Sequence, residues 1–318
     1  MRLRRPARAT AESIRGDHGV PGVVADGGQP NFGDPAMIIP NVAQTTASVA
    51  AHYDELDGFY REIWGEHVHH GYWETGREPA EQAVLALIDL VAARLDLTPG
   101  LSICDIGCGY GAAAQYLAER NNVQVTGFTV SAAQANHAQA RKPASGSLSI
   151  RHGDWLANAL EAEMFDRAYA IESSEHMADK QLFFAEAFRT LKPGGRLAIC
   201  AWLACDAPNP WEVRHLLEPI CREGRLPSMG DEADYRMMAH NAGFEAADVQ
   251  DISARVSRTW WLCARRLLRR LVTQPSYARF LLNRSQPNRI FAVTLFRLLA
   301  AYQTRSMRYC LLSFRKPA

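Results

Sequence analysis

Glu172, Glu175 and His176 stand within five residues of one another in the stretch ESSEHM. Two carboxylates beside an imidazole can accept, hold and return a proton near neutral pH, because histidine titrates there. The Glu175–His176 pair could equally do no more than cap the helix that follows. A second group lies upstream in DIGCGYG, where Asp105 precedes Gly107, Gly109 and Gly111. Alternating glycines make a sharp turn from strand to helix, and they also let a ligand lie directly on the backbone. The helix that follows offers unpaired N–H groups to an anionic atom. Glycines alone also serve as plain turns, so their surroundings decide. Those surroundings hold Thr129 and Gln134 in TGFTVSAAQ, and Asp154 and Trp155 in HGDW. The carboxylate of Asp154 and the flat ring beside it suit a purine.

A nicotinamide enzyme would carry an acid about 20 residues after its glycines to grip the ribose. The stretch GFTVSAAQ has none, and Ala112 breaks the G-x-G-x-x-G spacing. A simple dehydrogenase is therefore disfavoured. The stretch GEHVHHGYWE brings His67, His69 and His70 together, but no spaced carboxylates or cysteines complete a ligand set. No metal is expected there. Trp73, Trp202 and Trp211 read as core or pocket wall.

The elements that must position these groups alternate. Strands are expected at 101–106, 123–128, 148–153, 166–171 and 196–203, with helices at 110–120, 131–140 and 179–191 between them. Such alternation means an α/β fold with a parallel sheet covered on both faces. Ligands then bind at the carboxyl ends of the strands, where the glycine loop and ESSEHM both fall. Helical patterns precede the sheet from residue 43 and at 79–95. After 203 helices are expected at 208–222 and 231–242, a short strand at 245–251, a basic helical region at 257–304, and a final strand in MRYCLLSFRKP. The boundaries expected are a disordered tail at 1–40, a helical lid at 41–97, a cofactor-binding core at 98–205, and the rest of the core with a substrate cap at 206–318. Translation could begin at Met1 or Met37.

The chain has 318 residues, 47% hydrophobic and 22% charged, with a net charge of +1. That balance gives no reason to expect nucleic-acid binding. Seven scattered cysteines read as buried thiols of a cytoplasmic protein. The segment RTWWLCARRLLRRLV puts Arg265, Arg266, Arg269 and Arg270 on one helical arc, and Trp260, Trp261, Leu267, Leu268, Leu271 and Val272 on the other. It reads as a cap helix with a solvated face, as a membrane-surface contact, or as a patch for a phosphorylated acceptor.

DIGCGYG, TGFTVSAAQ, HGDW and LKPGG together resemble class I S-adenosylmethionine-dependent methyltransferases. IWGEHVHHGYWE, ESSEHMADK and LLSFRKP narrow the resemblance to the γ-tocopherol methyltransferase-like branch of small-molecule methyltransferases. The resemblance implies a Rossmann-like, mostly parallel seven-stranded sheet with helices on both faces, a helical lid, and a helical cap before the last strand. It implies that Gly107, Gly109 and Gly111 lie against S-adenosyl-L-methionine and that Asp105 sits near its amino group. Thr129 and Gln134 would meet the ribose, Asp154 and Trp155 the adenine, and Tyr53 and Tyr72 would close over the sulfonium. In place of the family's usual turn after the third strand stands LANALEAEMF. The reaction expected is methylation of a lipophilic small molecule, on carbon of an aromatic or prenylated phenol or quinol, with His176 as base helped by Glu172 or Glu175. Alternatives are an O- or N-methyltransferase of a natural product, a C-methyltransferase of a prenyl diphosphate or alkene, and a cofactor-binding protein without catalysis. A homodimer and a peripheral membrane contact through the basic helix are left open.

Overall fold

Seven strands form one sheet in the order β3-β2-β1-β4-β5-β7-β6 in the computed structural model, which describes residues 37–245, 248–283 and 291–318. The strands are β1 (Ser102–Ile106), β2 (Gln124–Thr129), β3 (Ser147–His152), β4 (Phe165–Ile171), β5 (Leu191–Ala204), β6 (Asp248–Asp251) and β7 (Met307–Arg315). Strands β1 to β5 pair in parallel, and β7 runs antiparallel to both β5 and β6. This is the Rossmann-like sheet the resemblance implied.

The central strands read as near-continuous apolar runs because both faces are covered. Cys104, Ile106, Ala168, Ala170, Leu197 and Ile199 point to one core, which includes Phe183 and Phe184 of α6 (Lys180–Thr190) and Tyr235 of α9 (Glu232–Ala242). Their neighbours Ile103, Tyr169, Ile171, Ala198 and Cys200 point to the other. That core holds Leu87, Val91 and Leu95 of α3 (Ala80–Leu95) and Ala114 and Leu117 of α4 (Ala112–Asn121). The period of two along each strand produces this division. Order reverses between β1 and β4, so a crevice opens at their carboxyl ends.

Two helices of the segment expected as a lid, α1 (Thr46–Glu55) and α2 (Asp57–Ile63), precede the sheet. Helix α5 (Ala132–Gln139) follows β2, started by Ser131, whose side chain accepts from the Gln134 N–H. After β5 come α7 (Pro210–Glu212), a π-turn at Val213–Leu217 and α8 (Glu218–Glu223). The expected single helix is interrupted because Pro219 has no N–H and its ring would press on the carbonyl of residue 215. Between β6 and β7 lie α10 (Ser253–Val256), α11 (Arg258–Thr273), α12 (Pro275–Leu282) and α13 (Phe291–Thr304).

Two boundaries and one helix face differ from the sequence reading. Residues 1–36 of the expected tail lie outside the described residues, but 37–40 are not tail. Ile38 and Met229 exchange backbone hydrogen bonds of 2.8 and 2.9 Å. Strand β5 begins at Leu191 instead of 196, and a register shift between Phe165 and Arg167 of β4 absorbs the intervening glycines. The arcs of α11 are also rotated. Trp260 and Leu267 are buried, while Trp261, Leu268 and Val272 face outward with Arg265 and Arg269. Arg266 turns inward to the Ile63 carbonyl at 2.7 Å. Packing against Trp64 and Trp202 set the buried face, where the sequence reading had used separation of charge.

Candidate active site

Three chambers meet at Val68, in the loop between α2 and α3. The largest, a cleft of about 600 Å³, is lined by Tyr53, Gly107, Gly109, Phe128, Thr129, Gln134, Trp155, Glu172 and His176. A second, of about 350 Å³, lies across the glycine loop, with His67, His69, Asp105 and Tyr110. A third, of about 480 Å³, shares Tyr53, Glu172 and His176 with the cleft and is walled by Tyr60, Trp64, Trp202 and Trp260.

The glycines divide their roles. Gly107 and Gly109 both have left-handed φ, +87° and +52°. A Cβ on Gly107 would lie 2.3 Å from the Ser173 Cβ, so packing requires glycine there. A Cβ on Gly109 meets nothing within 4 Å, so that backbone faces open space. Gly111 begins α4, and a Cβ there would press on Ala138 of α5 at 3.0 Å. It is a turn residue that lines none of the three chambers.

Asp105 is buried, accepts from the Tyr169 hydroxyl at 2.7 Å, and is pushed up to about 7 by burial. His69 shares its chamber. The Nδ1–H of His69 donates to the His70 carbonyl at 2.8 Å, and burial pushes its pKa down, so Nε2 keeps a lone pair. That nitrogen is buried without a partner among the described residues. An orphaned acceptor beside a carboxyl group suits an ammonium. On the other side of the glycines, the Thr129 hydroxyl donates to Gln134 at 2.8 Å and both line the cleft. Trp155 packs edge-on against Phe128, and both line it too. An apolar slot with a polar pair at one end suits a nucleoside. The residues present therefore fit an amino-acid nucleoside laid across Gly109.

Two residues expected at the cofactor, Asp154 and Tyr72, line none of the three chambers. The Asp154 carboxylate accepts from the Leu156 N–H and the Thr46 hydroxyl, each at 2.9 Å, and so ties the turn after β3 to the lid. Its neighbour Trp155 reaches the cleft and Asp154 does not line it. Tyr72 packs partly buried against the α3 core, its N–H bonded to the Ala83 carbonyl at 2.7 Å. It lines none of the three chambers. Trp73 beside it took the buried position, and the adjacent residue of an extended segment points elsewhere.

Glu172, Glu175 and His176 come together at the end of β4, on a 3₁₀ turn at 174–176. The capping role falls to Asp179, whose side chain accepts from the Leu182 N–H at 2.8 Å. Glu172 is a hub. Its Oε1 accepts from the His70 N–H (2.6 Å), His70 Nδ1 (2.9 Å) and the Tyr309 hydroxyl (2.8 Å). Its Oε2 accepts from Trp202 Nε1 at 3.2 Å. Although burial works against it, His70 and His69 hold its carboxyl below the usual range. Glu175 accepts from the Trp202 N–H (2.8 Å) and the Ser174 hydroxyl (3.1 Å), and burial raises it to about 7. Lys180 Nζ, buried beneath the turn, donates to the carbonyls of Glu175 and Met177 and to Ser228.

His176 lines both the cleft and the aromatic chamber. A carbonyl only accepts, so the contact of Nδ1 with the Arg225 carbonyl at 3.2 Å fixes the proton on Nδ1. Nε2 then accepts from the Tyr53 hydroxyl at 2.9 Å. Burial pulls His176 down to about 4, so the ring is neutral at physiological pH. Sequence reading gave no site role to Val68, Trp260 or Tyr309, which arrive from distant elements, while Trp202, read as core or pocket wall, lines the third chamber.

The geometry agrees with what the chain is similar to. The family model described as mycolic acid cyclopropane synthetase matches residues 41–274. The 27-O-demethylrifamycin SV methyltransferase of Amycolatopsis mediterranei is 31% identical over 279 residues, 86% of this chain and 98% of that protein. The tocopherol O-methyltransferase of Arabidopsis thaliana is 30% identical over 233 residues, covering 67% of each chain. Among solved structures, the [4+2]-cyclase SpnF matches with a TM-score of 0.70 at 27% identity, covering 88% of this chain and 99% of that one. The mycolic acid cyclopropane synthase CmaA1 complexed with SAH and CTAB matches at 0.75 and 22%, covering 86% and 99%. The chain therefore belongs to the mycolic acid cyclopropane synthetase family of class I methyltransferases, and its cofactor is S-adenosyl-L-methionine.

Proposed function

We propose that this methyltransferase acts on a lipophilic small molecule carrying an acidic hydroxyl, a phenol or an enol, and methylates that oxygen. The observation that carries this reading is the neutral His176 at the wall shared by the cleft and the aromatic chamber. Gly109, Thr129, Gln134 and Trp155 would hold the nucleoside part of the cofactor, and Asp105 and His69 its ammonium. S-Adenosylmethionine supplies an electrophilic methyl group on a sulfonium. Tyr60, Trp64, Trp202 and Trp260 exclude water and orient a flat or apolar acceptor.

The proton path follows from the hydrogen bonds. Tyr53 gives its proton to His176 Nε2 and takes the acceptor's proton on its own oxygen. A base near 4 is too weak to make a phenolate beforehand. It is strong enough to take a proton from an oxygen that is already gaining a methyl group, because that oxygen becomes strongly acidic. This timing favours oxygen as the methylated atom. The name of the Amycolatopsis relative, a 27-O-demethylrifamycin SV methyltransferase, is in keeping with it. Transfer to ring carbon, the sequence expectation, needs the phenolate first. It stays a second reading because the Glu172 charge works to raise His176. Free thiols among the described cysteines are in keeping with a cytoplasmic setting.

The test is turnover of a panel of lipophilic phenols and enols with labelled cofactor. His176→Ala should lower turnover by roughly 10²–10⁴-fold, the contribution of a positioned base. Affinity for S-adenosylhomocysteine should stay within about twofold. Rate should rise with pH through about 4 and then level. Unchanged turnover in His176→Ala would remove the base from this reading.

A further inference from the structure

The net charge of +1 hides a strong division of charge. Residues 252–318 hold thirteen arginines and one lysine, and none of the chain's 34 acidic residues. Many of these bases are answered internally. Arg270 pairs with Glu62 on the lid, Arg297 with Glu223, and Arg308 with Asp206. On the outer face of α11 the pattern is different. Arg265 and Arg269 are exposed and have no carboxylate partner among the described residues. Between them stand Trp261, Leu268 and Val272, exposed by 60, 59 and 87%. At 100° per residue these five share one stripe, along a helix of 16 residues.

We propose that this face of α11 docks on an anionic lipid bilayer. Tryptophan and aliphatic side chains enter the boundary between headgroups and acyl chains, while guanidinium groups at the same level meet phosphates. A nucleic acid would answer the two arginines and leave Leu268 and Val272 in water. A second copy joined through the same patch would bring four arginines and no carboxylate into one interface. The inner face of the helix adds a reason. Trp260, the neighbour of Trp261, lines the aromatic chamber. One helix thus meets the bilayer on one side and the acceptor's chamber on the other, an arrangement suited to a lipophilic molecule drawn from a membrane. No helix among the described residues is long and apolar enough to cross a membrane, so the contact is a surface one.

The experiment is sedimentation of the full chain with phosphatidylglycerol vesicles and with phosphatidylcholine vesicles. Binding is expected to phosphatidylglycerol, weakening as salt rises. Replacing both Arg265→Gln and Arg269→Gln should lower partitioning roughly thirty-fold, since each arginine near an anionic surface contributes about 1 kcal/mol. Replacing Trp261→Ser, Leu268→Ser and Val272→Ser should lower it by at least as much. Melting temperatures should not fall, because these side chains are exposed. Absence of binding overturns the proposal. So does binding that both variants retain. Self-association or RNA binding that the same substitutions abolish, without vesicle binding, also overturns it.

Discussion

Glu172→Gln separates a structural carboxylate from a chemical one. Three donors converge on one oxygen of Glu172 and one on the other. Glutamine keeps its oxygen on the three-donor side and turns its NH₂ toward the indole N–H of Trp202, so two donors face each other in a buried site. Hydrogen bonds to a charged group contribute about 1.5–3 kcal/mol, against about 1 for neutral ones, and a buried donor left unmet costs about 1–3 kcal/mol. The expected loss is roughly 2–5 kcal/mol, which should lower the melting temperature by about 5–15 °C for a domain of this size. Calorimetry at several pH values adds a sign. The Glu172 carboxyl lies below its ordinary value in the fold, so its stabilisation is present above that ordinary value and is lost as pH falls through the lowered one. The gap between wild type and variant should be widest near neutrality and close in acid. A melting temperature within about 2 °C of wild type at pH 7, with turnover abolished, would refute this and make Glu172 a chemical group.

Glu175→Gln should behave oppositely, since glutamine can accept from the Trp202 N–H and donate to Ser174. The Glu175 carboxyl is raised to about 7, so its contribution is present below the ordinary carboxylate value and lost as pH rises through about 7. The variant should therefore melt higher than wild type at pH 8 and close to it at pH 4. Gly109→Leu should fold, at a cost of about 1–2 kcal/mol for its left-handed backbone, and lose the thermal shift that S-adenosylhomocysteine gives wild type. Gly107→Ala should instead destabilise the chain through Ser173, seen as a lower melting temperature without ligand. Tyr72→Phe should leave S-adenosylhomocysteine affinity unchanged in calorimetric titration.

Much of the fold was legible because the central strands are buried on both faces and punctuated by helices. The glycine loop and ESSEHM were legible as a site because they end neighbouring strands of that alternation. The single-residue errors share a cause. GYW shows two aromatics in sequence, but only tertiary packing decides that Trp73 takes the core and Tyr72 does not. Asp154 looked like a ligand because the lid hydroxyl of Thr46 that claims it lies 108 residues away. The four donors on Glu172 come from the lid, β5 and β7, so no local spacing announces the hub. The faces of α11 were misdrawn because arginine can bend inward to a carbonyl, as Arg266 does, while leucine can be left outside.

Methyl transfer to a hydroxyl oxygen, with His176 taking the proton, is the central step proposed for this enzyme. The measurement that tests it most directly is the carbon NMR spectrum of the product made from a lipophilic phenol and cofactor labelled with ¹³C on its methyl group. A single labelled methoxy carbon is expected, formed by wild type and nearly absent with His176→Ala in the same time. A labelled methyl bonded to a ring carbon, or a methoxy product formed equally fast without His176, would contradict it.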